Sequence, residues 1–199
     1  MGSSARPRIR HGEGHVAVLR LEVLDLRQPI WRRVLVSMRA SLLELHGIIQ
    51  HSLGQDPTDE HHFEVDGVRY VDPGVADHPR RATDQTSIAT LAPGPGTRIL
   101  HLAATESEPW RHVVTVEQVG PRLVGQRVPL CLDGGGAAPP DDCDGPRRYT
   151  ALLDALAAPF DPRAAELREW LPEHFDPAYV DLNAVNAQLG RLPKHRPAA

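Results

Sequence analysis

The sequence is poor in the features that mark several large classes of protein. It has two cysteines in 199 residues, too few for the disulfide framework of a small secreted domain. No apolar stretch approaches the roughly 20 residues that a membrane-spanning helix needs, and residues 1–4 are not followed by the apolar run of a signal peptide. We therefore expect a cytoplasmic protein with reduced thiols and no membrane partner.

Aromatic residues and an excess of positive charge are also lacking. Only 5% of the residues are aromatic, so the core has to be built mainly from aliphatic side chains. The net charge of -4 argues against nucleic acid as a partner, because phosphate contacts need clustered lysine and arginine. A hydrophobic share of 41% over 199 residues is ordinary for one globular domain.

What is present is an alternation of strand and helix patterns. Residues 18–26 alternate apolar and charged side chains, and residues 30–36 form a second apolar run, so the two are predicted to form a hairpin. Ser41 and Glu44 have the spacing of a capping box, at the start of an apolar helical stripe that ends before Gly54. Further strands are predicted at 62–71, 98–103 and 110–119, and further helices at 149–158, 162–171 and 181–189.

This order predicts an α+β fold with a β-grasp-like mixed sheet, a packed helix and a helical C-terminal third. We assign residues 16–190 to a single domain, and residues 1–15 and 191–199 to flexible tails. Residues 120–148 are rich in Gly, Pro and Asp without periodicity, which is typical of a long loop that is either functional or disordered.

Several segments, in the same order, resemble those of the plasmid pRiA4b ORF-3 family. They are residues 29–36 running into 42–50, His61-His62-Phe63 with Gly67 and Tyr70, Trp110-Arg111-His112, the stretch from Cys131 through 139–146 to Tyr149, and residues 170–172 with 175–177 and 183–189. The resemblance spans residues 19–189. It implies a small α+β fold and an association with plasmids and insertion elements, and it brings no established activity.

One segment departs from the family's pattern. Just before its Trp-x-His the family carries a segment of the type Tyr-Asp-Phe-Gly-Asp, whereas residues 104–109 of this chain are Ala-Thr-Glu-Ser-Glu-Pro. The acidic character remains, but the aromatic residue and the glycine are gone. If this segment contributes to a site in relatives, that site is altered here.

The strongest chemical candidate is the stretch from Cys131 to Cys143. Thiolate and imidazole are the ligands that zinc prefers, so a metal set of Cys131, Cys143, His61, His62 and His112 is possible, with His101 as a further imidazole. The spacing is not that of a zinc knuckle. We favour two ordinary buried thiols, or two thiols that hold the loop together when they are oxidised to a disulfide.

Two neighbouring features have similarly divided interpretations. Asp56, Asp59 and Glu60 beside the histidine pair would suit iron or manganese, although a solvated acidic loop is the favoured interpretation. The run of glycines at 134–136 allows backbone amides to approach an anion, but without a following Lys-Ser or Lys-Thr it is more typical of a flexible surface loop.

A second group of residues is predicted to bind a ligand. One of Arg32 and Arg33 has to lie on the core side of its strand, where we expect it to pair with Asp142 or Glu117, or else to bind an anion. The full ligand-binding set is Arg32, Arg33, His46, Trp110, His112, Asp142 and Tyr149.

The histidines and the tryptophan in this set have two interpretations each. His46 lies on the apolar stripe of its helix, where it is either a packed histidine, which we favour, or a ligand aimed into a pocket. Trp110 and His112 share one face of a strand. They either stack a planar ligand together or are a core tryptophan beside an edge histidine, which we favour.

No hydrolase, metalloprotease or dinucleotide motif is present. The leading prediction is therefore a binding module for a peptide, protein or small ligand. The alternatives are a metal-dependent enzyme, with zinc or iron, that acts on a small metabolite, and a nucleic-acid accessory protein of a mobile element. All of them depend on the Gly/Pro-rich stretch folding back over the sheet.

Overall fold

A computed structural model describes residues 11–55, 60–76, 78, 81–140, 143–158, 167, 171 and 175–193. The described strands are β1 (His11–Val23), β2 (Trp31–Ser37), β3 (His61–Val65), β4 (Val68–Val71), β5 (Arg98–Ala103), β6 (Trp110–Leu123) and β7 (Leu130–Gly135). The described helices are α1 (Leu42–Leu53), α2 (Ile88–Leu91), α3 (Pro146–Ala157) and α4 (Leu182–Leu189). In this part of the chain no helix is long and apolar enough to cross a membrane.

The strands form one seven-stranded sheet in the order β4-β3-β5-β6-β1-β2-β7. The α+β class is therefore confirmed. All six neighbouring pairs are antiparallel, so the prediction of a mixed sheet is wrong for the described strands. The reason lies in the connections. α1 leads the chain from β2, near one end of the sheet, to β3, near the other end, whereas a parallel crossover would place the next strand directly beside β2. The finer β-grasp arrangement stays a prediction.

The predicted hairpin and the first helix both form. β1 pairs with β2 from Val16↔Ser37 to Glu22↔Trp31, and β1 begins at His11, so the tail boundary drawn at residue 15 lies inside this strand. The capping box of α1 is complete: the Glu44 amide donates to Ser41 Oγ at 3.1 Å, and the Ser41 amide donates to Glu44 Oε2 at 2.8 Å. Gly54 ends the helix in the left-handed conformation, at φ 62°.

The sheet has an inner face that is buried and an outer face that is half-exposed. Inward residues of the strands and the apolar stripe of α1 share one core: Leu19, Leu21, Val34, Phe63, Ile99, Val114, Leu42, Leu45, Ile49 and Leu53. Each is fully buried, which stabilises the fold by roughly 1.5–3 kcal/mol per side chain. Because strand residues alternate between faces, Arg20 and Glu22 of β1 and Arg33 of β2 lie outside.

The stretch predicted as a long loop contains β7 and the end of β6. β7 pairs with β2, with Arg32 opposite Gly134 and Trp31 opposite Gly135. A Cβ atom on Gly134 would lie 2.8 Å from Arg32 Cδ, and one on Gly135 would lie 2.8 Å from Trp31 Nε1. The prediction of a flexible glycine loop is therefore wrong, because these glycines let β7 lie directly on large side chains of β2.

The described C-terminal residues include two helices, α3 and α4. Asp181 caps α4 by accepting hydrogen bonds from the amides of Asn183 and Ala184, as its position in the sequence predicts. The helix predicted at 162–171 lies outside the described residues, apart from residues 167 and 171, so the helical C-terminal third stays a prediction. α4 protects the edge of β7, since the side chain of Asn186 exchanges two hydrogen bonds with the backbone of Cys131, at 2.8 and 2.9 Å.

Candidate functional site

Four histidines from four elements converge on the inner face of the sheet. His46 lies on α1, His61 on β3, His101 on β5 and His112 on β6. β3, β5 and β6 are neighbours, and His101 is opposite His112 in their register. The four rings are 5%, 6%, 0% and 0% exposed, respectively. We call these four residues the histidine cluster.

The rings of the histidine cluster are joined by direct contacts. His46 Nδ1 is 2.9 Å from His101 Nε2, and His101 Nδ1 is 2.9 Å from His112 Nδ1. His61 stacks on His46 with ring centroids 3.7 Å apart and planes 7° from parallel. The ring of Phe63 packs against His101, with the two ring centroids 4.6 Å apart. His101 is therefore the centre of a hydrogen-bonded chain of three imidazoles.

Burial keeps the inner rings of the chain neutral. Desolvation holds the pKa of His101 well below its usual value, and the neighbouring imidazoles of His112 and His46 act in the same direction. Desolvation likewise lowers the pKa of His112 to about 3. A neutral His101 donates one hydrogen bond and accepts the other, so the two end rings take complementary tautomers.

The histidine cluster does not have the geometry of a metal centre. Parallel rings stacked at 3.7 Å aim their lone pairs along separate planes, so one ion cannot lie about 2 Å from nitrogens of both rings. His101 already uses both of its nitrogens. In the described part of the chain no group of three or more His, Cys, Asp or Glu side chains could hold a metal ion.

In the described part of the chain the predicted metal set is therefore not brought together. Cys131 lies on β7, three strands away from β6 and its His112, which is roughly 14 Å across the sheet. His62 points to the outer face, where its Nε2 lies 3.4 Å from Glu64 Oε1. Both cysteines are free, and burial raises the thiol pKa of Cys131, and that of Cys143 to about 11. Thiols of this kind are packed groups of low reactivity.

Arg32 is the arginine on the core side, and backbone oxygens hold it. Its side chain is 1% exposed. Nε donates to the Ser52 carbonyl at 3.0 Å, and Nη1 donates to the carbonyls of Trp31 and Gly135 at 2.8 and 2.9 Å. Ser52 belongs to the last turn of α1, where the helix dipole favours a cation. Burial lowers the Arg32 pKa, and an arginine nevertheless stays charged at neutral pH.

The structure shows the position of one of the two expected carboxylate partners, Glu117. Glu117 pairs with Arg33, not with Arg32, in a bidentate contact of 2.6 and 3.0 Å. Asp133 contributes a further contact to Arg33 at 2.9 Å. The hydrogen bonds from Arg33 hold the Glu117 pKa below its usual value. Asp142, the other expected partner, lies outside the described residues.

The outer face carries a polar surface centred on Trp31. The Arg20 guanidinium lies 4.2 Å from the centroid of the Trp31 ring, and the Arg33 guanidinium lies 5.5 Å from it. Arg20 also pairs with Glu22 at 3.0 Å. The paired side chains of this surface are a quarter to a half exposed, from 25% for Glu117 to 52% for Asp133. We define the Trp31 face as Arg20, Glu22, Trp31, Arg33, Glu117 and Asp133.

Four residues of the predicted ligand-binding set have structural positions. Trp110 is a core residue, as favoured, but His112 is fully buried and not at an edge. His46 is packed, as favoured. The Tyr149 hydroxyl donates to the Ala137 carbonyl at 3.2 Å, and its burial raises the Tyr149 pKa to about 12. Tyr149 thus ties α3 to the chain after β7. Asp56 and Asp59 lie outside the described residues, and Glu60 is exposed.

The segment that departs from the family's pattern anchors α3. The Ser107 amide donates to Asp144 Oδ1 at 3.2 Å, and the Ser107 hydroxyl donates to the same carboxylate. Glu108 pairs with Arg147 at 3.2 Å. The hydrogen bonds from Ser107 and Thr105 lower the pKa of Asp144. In this chain the segment therefore joins the β5–β6 connection to the start of the helix.

Sequence reasoning missed the Trp31 face and the central place of His101. The alternation of Leu19 and Leu21 with Arg20 and Glu22 did indicate an outward polar row. Placing that row beside Trp31 needed the register of β1 and β2. His101 was one of several imidazoles until the pairing of β5 with β6 put it opposite His112.

Fold and contacts define a small α+β protein with one antiparallel sheet, a buried face of imidazoles and aliphatic residues, and a polar outer face. Residues 15–184 match the family model described as plasmid pRiA4b ORF-3-like protein, and the chain belongs to this family. The uncharacterized protein y4hQ of Sinorhizobium fredii is 30% identical over 181 residues, which are 88% of this chain and 92% of that protein.

A solved structure shares the fold. It is the crystal structure of the protein of unknown function MM3350 from Methanosarcina mazei Go1, with a TM-score of 0.71 and 24% identity. The alignment covers 85% of this chain and 96% of that chain. At this identity the likeness supports the fold and nothing further about activity.

Proposed function

We propose that this protein is a binding module that takes up a protein or peptide partner on the Trp31 face. The observation that carries the proposal is the stacking of two guanidinium groups on the ring of Trp31, on the side of the sheet that faces away from the core. Tryptophan and arginine are the residues most enriched at the energetic centres of protein interfaces. Here they are held in place before any partner arrives, which reduces the entropy lost on binding.

The charges of the Trp31 face favour a protein over a nucleic acid. Arg20 is paired with Glu22, and Arg33 is paired with Glu117 and Asp133. A phosphate backbone would have to compete with these carboxylates and would be repelled by them. A protein surface can present both signs of charge, and such complementarity contributes to specificity. The role of a nucleic-acid accessory protein is accordingly the weaker alternative.

The enzyme alternative has less support from the described residues. Its metal set is not assembled, and the imidazoles of the histidine cluster are buried away from any substrate in solution. A cytoplasmic location stays part of the proposal, supported by two thiols that are free rather than paired. The association with plasmids and insertion elements rests on the resemblance alone.

Photo-crosslinking in cells tests the proposal. Thr115 is opposite Arg20 in the register of β1 and β6, so a photoreactive amino acid at position 115 lies beside the Trp31 face. We expect a discrete crosslinked protein from this position, and none from the same amino acid at Val75, which is 74% exposed outside that face. Mass spectrometry of the adduct identifies the partner.

A matched pair of variants separates binding from general surface effects. Arg20→Ala removes one guanidinium from Trp31 and is expected to abolish most of the adduct. Arg69→Ala removes an arginine that is also ion-paired, to Glu64 at 2.8 Å, at the other end of the sheet, and is expected to leave the adduct unchanged. No adduct at position 115, or equal loss with both variants, contradicts the proposal.

A further inference from the structure

The histidine cluster lies on the inner face of the sheet and takes no part in the proposed binding face. Its contacts join different elements: one hydrogen bond links α1 to β5, the other links β5 to β6, and the stacked pair links α1 to β3. The cluster therefore fastens the helix to three strands. Each of these fastenings depends on the protonation state of the rings.

A hydrogen bond between two imidazoles holds a single proton between two nitrogens. When both rings are cations, both of the facing nitrogens carry a hydrogen and the bond becomes a repulsion. His101 and His112 face each other in this way, and both are completely buried. The cost of burying a second cation beside the first is large, because water cannot screen either charge.

The charges that act on this pair are those of other imidazoles. His101 is affected by His112, His46, His61 and His62, and His112 is affected by His46, while a hydrogen bond to the His101 backbone offsets part of this effect on His112. Of the other titratable groups on the packed elements, Glu64 is paired with Arg69 on the outer face. His51 of α1 turns back to the Gly47 carbonyl.

The position of the pair decides which part of the molecule would open first. β3 and β4 are the last two strands at one end of the sheet, and β3 is hydrogen-bonded to the other strands of the sheet through β5. At the other end, β1, β2 and β7 pack through aliphatic residues and Arg32. The described part of that end contains no buried histidine.

We propose that the His101–His112 pair is an acid-sensitive latch, which on protonation releases α1 and the β3–β4 hairpin while β1, β2 and β7 stay paired. The open form takes up the protons that the closed form excludes. This inference is independent of the proposed function, because it concerns the opposite face of the sheet.

The number of protons taken up on opening is the quantity that tests the latch. A buried neutral histidine that becomes exposed, with an ordinary pKa of about 6.5, raises the opening equilibrium constant about eightfold between pH 6 and pH 5. Two such rings raise it about 60-fold. Carboxylates contribute little in this window, since they titrate near pH 4.

Hydrogen exchange followed by mass spectrometry measures this constant for each segment, once the rates are corrected for the intrinsic effect of pH on exchange. For peptides of α1 and β3–β4 we expect the opening constant to rise at least about 60-fold from pH 6 to pH 5. Peptides of β1 and β2 are expected to change far less.

His112→Leu removes one titrating ring at similar volume and is expected to reduce the rise by about eightfold. A residue that merely packs would change the opening constant equally at both pH values, and so would leave this ratio unaltered. His15→Gln is the matched control, because His15 is an exposed histidine of β1, and it should keep the full rise.

If His112→Leu does not fold, the opening constants of the wild-type protein at pH 6 and pH 5 are sufficient to test the latch. A rise of less than about eightfold in the α1 and β3–β4 peptides overturns the latch, since it corresponds to fewer than one proton. Simultaneous loss of protection in β1 and β2 overturns it as well, because the opening would then be global.

Discussion

The two ends of the buried face deal with polar groups in opposite ways. At the β2–β7 end, Arg32 keeps its charge in the core because three backbone carbonyls from α1, β2 and β7 surround the guanidinium. At the β3–β5–β6 end, the histidine cluster gives up its charge, because burial disfavours a cation and the charges that act on His101 are those of other imidazoles. The difference shows that a buried group stays ionised where acceptors converge on it, and becomes neutral where they do not.

Arg32 and the histidine cluster also differ in how their contributions to stability depend on pH. The guanidinium of Arg32 does not titrate in the range that proteins tolerate, so its contribution to stability is nearly independent of pH. The imidazoles have an unfolded pKa of about 6.5, and their folded pKa is lower. The unfolded state then binds more protons below pH 6.5, so stability falls as the pH falls.

The largest effect is expected from removing the buried cation. Arg32→Ala leaves three carbonyls without their donor and opens a cavity, and we expect a loss of about 4 kcal/mol in the free energy of unfolding. Arg33→Ala, on the same strand but outside, should cost about 1 kcal/mol or less, because its partners return to water. Urea unfolding at pH 7 measures both. If the two variants lose the same free energy of unfolding, the burial of Arg32 among three carbonyls adds no stability beyond that of an exposed ion pair.

Mild acid is expected to have the next largest effect. With the pKa of His101 well below its usual value and that of His112 lowered to about 3, both rings stay neutral in the folded state at pH 5.5. Moving from pH 7 to pH 5.5 should therefore reduce the free energy of unfolding by about 2.5 kcal/mol.

The same urea titrations at the two pH values check this number. The Arg32→Ala protein should lose the same amount over this pH step, because the hydrogen bonds of Arg32 go to backbone carbonyls and not to the imidazoles. If the free energy of unfolding of the wild-type protein is the same at pH 7 and pH 5.5, the buried imidazoles are not held in their neutral form.

The smallest effect tests the close packing of β7 on Arg32. A Cβ atom on Gly134 meets Arg32 Cδ at 2.8 Å and the Trp31 carbonyl at 3.0 Å, so Gly134→Ala should cost about 1–2 kcal/mol through overpacking. Gly120→Ala is the matched control, since nothing lies within 4 Å of its Cβ position. It is expected to be neutral or slightly stabilising. Thermal unfolding of both proteins gives the comparison, and a neutral Gly134→Ala would refute the tight contact.

Local patterns were sufficient for the elements whose signals lie close together in the chain. The capping box of Ser41 and Glu44, the stop at Gly54 and the cap at Asp181 all formed as predicted. These contacts join residues two to four positions apart, so their geometry follows from the helix itself. Glu117 was also a correct partner for one arginine of the pair, although not for Arg32.

The errors fell on features that depend on pairing between distant segments. β7 was predicted as a loop because glycines carry no strand propensity, yet its neighbour Arg32 requires them. The predicted metal set is not brought together, because sequence order does not reveal that two strands, β1 and β2, lie between the strand of Cys131 and the strand of His112. Asp142 and the predicted helix at 162–171 fall outside the described residues, apart from positions 167 and 171.

By itself the sequence determined the α+β class, the hairpin, the capped helix and the alternation that sends Arg32 to one face and Arg33 to the other. These are periodic properties of the backbone, and side-chain type reports them directly. Only the tertiary structure decided that carbonyls hold Arg32 and that His101 lies between two imidazoles. The strand order sets which groups meet in the core, and the local dielectric and the available acceptors then set which of them keep a charge.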